Sequence, residues 1–290
     1  MPRRFYIKEL RVMSSTFQCG RYTLRLDRPL VMGVVNVTPD SFSDGGHYLD
    51  SERAIAHAKE LIAEGADLLD IGGESTRPGS APVSANEELA RILPVLRGVM
   101  NLGVPVSIDT RRPEVMRAAV AAGVDLLNDV NGFRDPAAFD VAVQSSCGLC
   151  IMHMLGEPRT MQDNPHYTDV VQEVSDFLSA RCQAFVQRGV DRSRLVIDPG
   201  FGFGKNLDHN LALMRAVGRM ASQQTLLVGV SRKRMIGALL GYDTAPEQRV
   251  MGSVAAALWA ANQGAQILRV HDVQETVQAL AVWSAIRMPA

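Results

Sequence analysis

The 290-residue sequence is poor in several features whose absence limits what it can be. It has only four cysteines, Cys19, Cys147, Cys150 and Cys182. They are too few and too scattered for a disulfide framework in a chain of this size, which points to a reducing compartment, the cytoplasm. Cys147-Gly-Leu-Cys150 has C-x-x-C spacing. No second pair accompanies it for zinc, and it runs into the apolar stretch 149–152 instead of heading a helix, so a redox or metal role is not expected. Charge of one sign is also missing: 30 basic residues face 31 acidic ones, a net charge of −1. That leaves no electrostatic footprint for nucleic acid or an anionic membrane, and any anionic ligand must be met locally. No run of about eighteen apolar residues is present to span a bilayer. Residues 1–10 (MPRRFYIKEL) are basic but lack the apolar region of a secretory signal. With 47% hydrophobic and 21% charged residues, the chain has the make-up of a globular protein with a large core.

From residue 30 onward, short β-branched runs alternate with longer segments of helical period. The strand candidates are 30–37, 68–73, 104–110, 126–130, 149–153, 195–199, 226–231 and 267–271; helical patterns include 51–64, 84–100, 113–122, 169–188, 207–220, 246–263 and 273–286. Ser84-Ala-Asn-Glu87 reads as a capping box, Pro113 suits a first turn, and Gly65, Gly123, Gly189 and Gly264 read as helix stops. Eight βα units without a long linker favour one (β/α)8 TIM barrel over the competing open doubly wound sheet. Residues 16–29 alternate around Gly20 as a hairpin covering the N-terminal end of the barrel would, and residues 1–15 read as a loose extension. One barrel domain over 16–290 is expected.

In such a barrel the active site is built at the C-terminal strand ends. Here these ends carry Asn36, Asp70, Asp109, Asn128, His153, Asp198, Ser231 with Lys233, and Arg269 with His271. A single strand-end Asp is as readily a helix cap, but a whole ring of polar ends after apolar runs is not explained that way. The segments following them are also polar. Asn36-Val-Thr-Pro-Asp-Ser-Phe-Ser-Asp-Gly-Gly46 and Gly72-Gly-Glu-Ser-Thr-Arg-Pro-Gly79 are long polar loops, the second placing Ser75, Thr76 and Arg77 to grip an anion. The glycines of Asp198-Pro-Gly-Phe-Gly-Phe-Gly-Lys205 permit close approach by a flat ligand, and Ser231-Arg-Lys-Arg234 brings positive charge.

Taken together, NVTPDSFSDGG at 36–46, GGESTRPG at 72–79, SIDT at 107–110, NDV at 128–130, MHMLGEPRTMQ at 152–162, DPGFGFGK at 198–205, SRK at 231–233 and RVHDV at 269–273 resemble the dihydropteroate synthase family, in order along the chain from about residue 16. Residues 1–15 match nothing in it. The resemblance implies a transferase that joins 6-hydroxymethyl-7,8-dihydropterin diphosphate to 4-aminobenzoate with loss of diphosphate, giving 7,8-dihydropteroate. It implies Asp109, Asn128, Met152, Asp198 and Lys233 on the pterin, and Asn36, Thr76, Arg77, Arg269 and His271 on the diphosphate. Mg²⁺ would be held through Asn36, and Thr76, Pro78, Phe203, Ser231, Lys233 and Arg234 would line the aminobenzoate pocket. Lys233, Asp109, Arg269 and Asn36 would carry catalysis, the partners would be small molecules, and the enzyme would be a homodimer whose interface is sought around 254–261. Two rivals share the barrel: a methyltransferase passing a methyl group from a folate to a corrinoid, which needs no diphosphate site, and a non-catalytic pterin-binding barrel, in which Arg77, Arg269 and Lys233 would be dispensable.

Overall fold

The structure is a computed structural model and describes residues 16–37, 46–74, 83–157, 160–241 and 245–287. The proposed N-terminal extension, 1–15, lies outside the described residues.

Two short strands, β1 (Thr16–Cys19) and β2 (Tyr22–Arg25), form the expected antiparallel hairpin. Gly20 at its turn has φ +55°, and a Cβ there would lie 2.6 Å from Asp125 Cα, so only glycine fits. Arg21 grips the same Asp125 carboxylate through Nε at 2.9 Å and Nη2 at 3.0 Å. The hairpin is thereby locked across the N-terminal end of the barrel.

The barrel strands are β3 (Leu30–Asn36), β4 (Leu68–Gly72), β5 (Val106–Asp109), β6 (Leu126–Asp129), β7 (Gly148–Met152), β8 (Leu195–Asp198), β9 (Leu227–Val228) and β10 (Ile267–Val270). All pairings among them are parallel, in the order β8-β7-β6-β5-β4-β3-β10-β9, and an Ile197–Leu226 bridge joins the two outer strands. The neighbours follow chain order around the ring with no reversal, which excludes the doubly wound alternative. One apolar cluster fills the lower lumen: Phe17, Cys19 and Leu26 from the hairpin region against Met32, Leu68, Leu126, Cys150, Val196, Leu227 and Ile267. Fully burying Phe17 there contributes about 1.5–3 kcal/mol. A larger cluster lies between the strands and the helix ring.

The helices are α1 (Gly46–Ala63), α2 (Ala85–Val99), α3 (Pro113–Ala122), α4 (Pro136–Gln144), α5 (Val170–Gln187), α6 (Leu207–Arg215), α7 (Val217–Ala221), α8 (Arg234–Leu240), α9 (Val250–Asn262) and α10 (Val273–Arg287). Gly65, Gly123, Gly189 and Gly264 all have positive φ, as helix stops require.

Four sequence expectations need correction. The pattern at 207–220 is two helices broken at Ala216, and that at 246–263 starts with a 3₁₀ turn, Pro246–Arg249. The strand expected over 226–231 pairs only at 227–228, because the chain turns away through Gly229 into a turn where Arg232 takes φ +58°. Ser84 does cap α2 by accepting from Glu87 N at 3.2 Å, but the Glu87 carboxylate turns to Arg91, so the reciprocal half of the capping box gives way to an ion pair. Helices α4 and α8 are too short to show a clear period in sequence; Asp135 starts α4 by accepting from Ala137 N at 2.7 Å.

Candidate active site

Strand alternation builds the mouth of the barrel. Leu68, Leu126, Cys150, Val196 and Ile267 point into the lumen, so the residues two places on, Asp70, Asn128, Met152, Asp198 and Arg269, face the same way one layer higher. Polar groups buried there must satisfy one another or a ligand.

They converge on Arg269. Its Nε donates to Asp70 Oδ2 at 2.6 Å and its Nη2 to Asp109 Oδ2 at 2.8 Å, while Asn128 Nδ2 donates to the same Asp70 oxygen at 3.1 Å. Asp198 Oδ1 accepts from Gly200 N at 2.7 Å. Lys233 Nζ donates to Phe201 O at 2.6 Å and stands 4.8 Å over the Phe203 ring. Met152 belongs to a small apolar cluster with Val130, Met154 and Met161, against which Phe203 packs.

The electrostatics follow from burial. Desolvation pushes the Asp109 carboxyl up to about 7, opposed by the Arg269 charge and reinforced by Asp70. The geometry favours the ionised form, since Asp109 is ion-paired with a guanidinium that Asp70 and Asp109 together hold charged against its own desolvation. Asp198 is likewise raised by burial, with Lys233 pulling it back. Lys233 is lowered to about 8 by burial, with Asp198 opposing. Three carboxylates and two cations therefore share one low-dielectric well, which can offer a flat heterocycle both acceptors and donors.

The turn that carries Lys233 is pinned from outside. Arg232 spans the Asp272 carboxylate, its N–H donates to Ser253 Oγ at 2.9 Å, and its carbonyl accepts from Arg249 Nη1 at 2.9 Å. Holding a non-glycine residue at positive φ costs about 1 kcal/mol or more, which these contacts offset. Ser231 Oγ lies 3.1 Å from both the backbone N and the Nδ1 of His271, tying the ends of two neighbouring strand segments together.

This arrangement has relatives. The chain matches the pterin binding enzyme family over residues 32–271. The dihydropteroate synthase of Neisseria meningitidis serogroup B is 52% identical over 277 residues, covering 93% of this chain and 97% of the relative. The chain belongs to the dihydropteroate synthase family. Among solved structures, that of Xanthomonas albilineans dihydropteroate synthase with 4-aminobenzoic acid superposes at TM-score 0.89 with 52% identity, covering 95% of this chain and all of that one. That of Burkholderia cenocepacia dihydropteroate synthase complexed with 7,8-dihydropteroate superposes at 0.86, also with 52% identity, covering 94% and 96%.

Of the residues singled out in sequence as dihydropteroate synthase positions, Asp109, Asn128, Asp198, Lys233 and Arg269 line this well, with Met152 and Phe203 as apolar wall. Asn36 ends β3 half-buried, and a Cβ on Gly72 would lie 3.8 Å from both its Oδ1 and Asp109 Cβ, which places it at the rim beside the well. Ser231 and His271 pair with each other as above. Arg234 opens α8 and is exposed. Thr76, Arg77 and Pro78 lie outside the described residues.

His153, the strand-end histidine, is turned into the structure. Its Nδ1 is 3.0 Å from Lys205 Nζ, and burial with the lysine charge depresses its pKa to about 2, so the ring is neutral. Cys147 and Cys150 are buried, their thiol pKa values raised by burial, and Cys147 Sγ donates to Val124 O at 3.1 Å. Neither thiol is exposed to react.

In sequence Asp70 reads only as one of the polar strand ends. The signal was present, since Leu68-x-Asp70 repeats the inward spacing of Leu126-x-Asn128 and Val196-x-Asp198. Arg112 had no such signal. It donates to Glu74 at 2.7 and 2.8 Å, to buried Glu88 at 2.7 Å and to Val83 O, linking the described residues on either side of 75–82. Only the fold brings those four together.

Proposed function

We propose that this chain is a transferase that seats 6-hydroxymethyl-7,8-dihydropterin diphosphate in the Arg269 well and joins it to 4-aminobenzoate, forming 7,8-dihydropteroate and diphosphate. The observation that carries this reading is the joint presence of carboxylates, an amide and a lysine around one buried guanidinium at the C-terminal ends of the strands. The relatives named above act under that name, and one was solved with the aminobenzoate and another with the product.

Asp198 accepts the paired N–H groups of the pterin, Asn128 and Asp109 serve the remaining ring nitrogens, and Lys233 donates to the ring carbonyl and nitrogen; Met152 packs on the face. Arg269, already shared between Asp70 and Asp109, turns its free edge to the diphosphate, with His271, Asn36, Thr76 and Arg77 completing the clamp. Ser231, Arg234, Phe203, Pro78, Thr76 and the Lys233 stem form the aminobenzoate pocket.

The amine lone pair forms the new C–N bond at the exocyclic CH₂ while the C–O bond to diphosphate breaks, and the arylammonium then loses a proton. An aniline nitrogen is already neutral at pH 7, so position and electrostatics do most of the work and no strong general base is needed. Mg²⁺ fits the donor set. Asn36 offers one neutral oxygen, and among the described residues no cluster of three or more acidic, histidine or cysteine side chains stands ready to enclose a metal. A hard cation that draws most of its ligands from phosphate and water suits such a place. When bound it neutralises charge on the leaving diphosphate.

The methyltransferase alternative needs no anion clamp, and a binding-only barrel needs no amine pocket. The deciding assay supplies pterin diphosphate, labelled 4-aminobenzoate and Mg²⁺. Labelled dihydropteroate is expected; tight pterin binding without product would overturn this reading and leave the two pterin-binding rivals.

Two further points belong to the same proposal. The chain acts in the cytoplasm, in keeping with four buried, unpaired thiols; among the described residues no helix is long and apolar enough to cross a membrane. It also forms a homodimer through the face made by α8, α9 and α10. Met251, Ala255 and Trp259 recur every four residues along the exposed side of α9, which spans the 254–261 region, beside exposed Leu239 on α8 and Val282 and Ile286 on α10. A patch of this kind marks an association surface. Sedimentation should give a dimer that Trp259→Glu converts to monomer; a monomeric wild type at micromolar concentration would refute it.

A further inference from the structure

Lys205 ends the glycine-rich turn that begins at Asp198, and nothing in the chemistry above uses it. It is 3% exposed. Its Nζ lies 3.0 Å from His153 Nδ1, 3.3 Å from His153 O, 3.0 Å from Gly200 O and 3.0 Å from Phe203 O. Three carbonyl oxygens and one imidazole nitrogen surround it, and no carboxylate is in hydrogen-bonding reach; three carbonyls call for three N–H donors, one more than a neutral amine carries, so the geometry favours the ammonium. Burial drives the ammonium pKa well below its ordinary value, with the charge of Asp198 opposing. Burying a cation this way is costly, and an apolar side chain of the same length would avoid that cost. What offsets it must lie in what the cation holds.

It holds a turn that could not hold itself. Gly200, Gly202 and Gly204 take φ +67°, +79° and +64°, and a Cβ on Gly200 would lie 1.9 Å from His153 O. These left-handed steps turn the carbonyls of one short segment toward different partners. Gly200 O and Phe203 O face Lys205 inside, whereas Gly202 O accepts from Gln162, and Phe201 O accepts from the Lys233 ammonium on the site side. Asn210 Oδ1 accepts from Gly202 N at 2.8 Å, and Tyr167 OH donates to Gly204 O at 2.9 Å. Two ammonium groups therefore bracket one turn, the outer one being a ligand-binding group.

We infer that Lys205 is a positioning residue: an internal ammonium whose bonds to the carbonyls of His153, Gly200 and Phe203 set the turn so that Phe201 O and the Phe203 ring aim Lys233 and wall the arylamine pocket. This inference rests on the proposed function for the identity of the arylamine. It places the main effect of Lys205 on the second substrate, because the Phe203 wall belongs to that pocket, whereas Asn128 and Asp109 hold the pterin from strand ends that Lys205 does not touch, and Asp198 is reached by the Lys205 charge but by none of its hydrogen bonds. It also makes the Nζ position a cage of neutral oxygens and one nitrogen that a small ammonium ion would fill if the side chain were shortened.

The test is steady-state kinetics with both substrates varied, together with titration of pterin diphosphate. Lys205→Met should raise KM for 4-aminobenzoate about tenfold or more while the pterin diphosphate Kd moves less than about threefold. Lys205→Ala should behave likewise and recover in part with methylammonium chloride but not with sodium chloride at equal ionic strength. If Lys205→Met does not fold, Lys205→Gln, which keeps an amide donor at similar length, takes its place in the same comparison. Equal losses toward both substrates, an unchanged KM with only a lower Tm, or indifference to methylammonium would overturn the inference. Wild type run alongside separates the two readings. No product from it defeats the proposed function, whereas product from it and unaltered kinetics in the Lys205 variants defeat only the role of Lys205.

Discussion

Asp198→Asn is expected to lower kcat/KM for pterin diphosphate by about 10²–10⁴-fold, with the fold intact by circular dichroism. Asn keeps the volume and still accepts from Gly200 N, so the turn that Asp198 begins should persist. What is lost, in the proposed mode of binding, is an anionic acceptor for two N–H groups of the pterin. One position becomes an amide that donates toward donors, leaving buried groups unpaired, a cost of about 1–3 kcal/mol each and more where charge is involved. Removing that charge also takes away the opposition to desolvation that Asp198 gives Lys233, so Lys233 should lose its proton more readily in the variant. A kcat/KM within about threefold of wild type would show that the pterin is held elsewhere.

Lys233→Ala is expected to cost about 10²–10³-fold in kcat/KM, again without unfolding. Lys233 makes no side-chain cap on α8, and its hydrogen-bonded contact is the Phe201 carbonyl, so the helix does not depend on it. The pH dependence separates a lost charge from a lost shape. Burial places the free-enzyme pKa of this lysine at about 8, and the protonated form is the donor, present below that value and lost as pH rises through it. Wild-type kcat/KM should therefore fall on the alkaline side from about pH 8, since this parameter reports the free enzyme. Lys233→Arg, charged throughout that range, should be slower yet lack that limb. An alkaline limb unchanged in Lys233→Arg would assign it to another group.

Much of this site was readable from local pattern. Leu68-x-Asp70, Leu126-x-Asn128, Val196-x-Asp198 and Ile267-x-Arg269 each follow an inward apolar residue with an inward polar one, a two-residue period that survives whatever the partners are. The glycines of the 198–205 turn announced an unusual backbone path. His153 was misleading for the same reason: its place at a strand end looked like the others, but β7 ends one residue earlier, at Met152, and the side chain falls to the opposite side, against Lys205.

The sequence by itself determined the barrel, its hairpin plug and the inward-facing ring of functional groups, because hydrophobic period, helix-stopping glycines and strand-end chemistry are all local properties of the chain. Only the tertiary structure decided who pairs with whom. Arg269 meets Asp70 across 199 positions and Asp109 across 160, and Arg112 gathers Glu74 and Glu88. The buried Lys205 cage likewise draws on two separate strand ends. Such pairings are set by closing eight strands into a ring, and the energies that select them, desolvation offset by directed hydrogen bonds, exist only once water has been excluded.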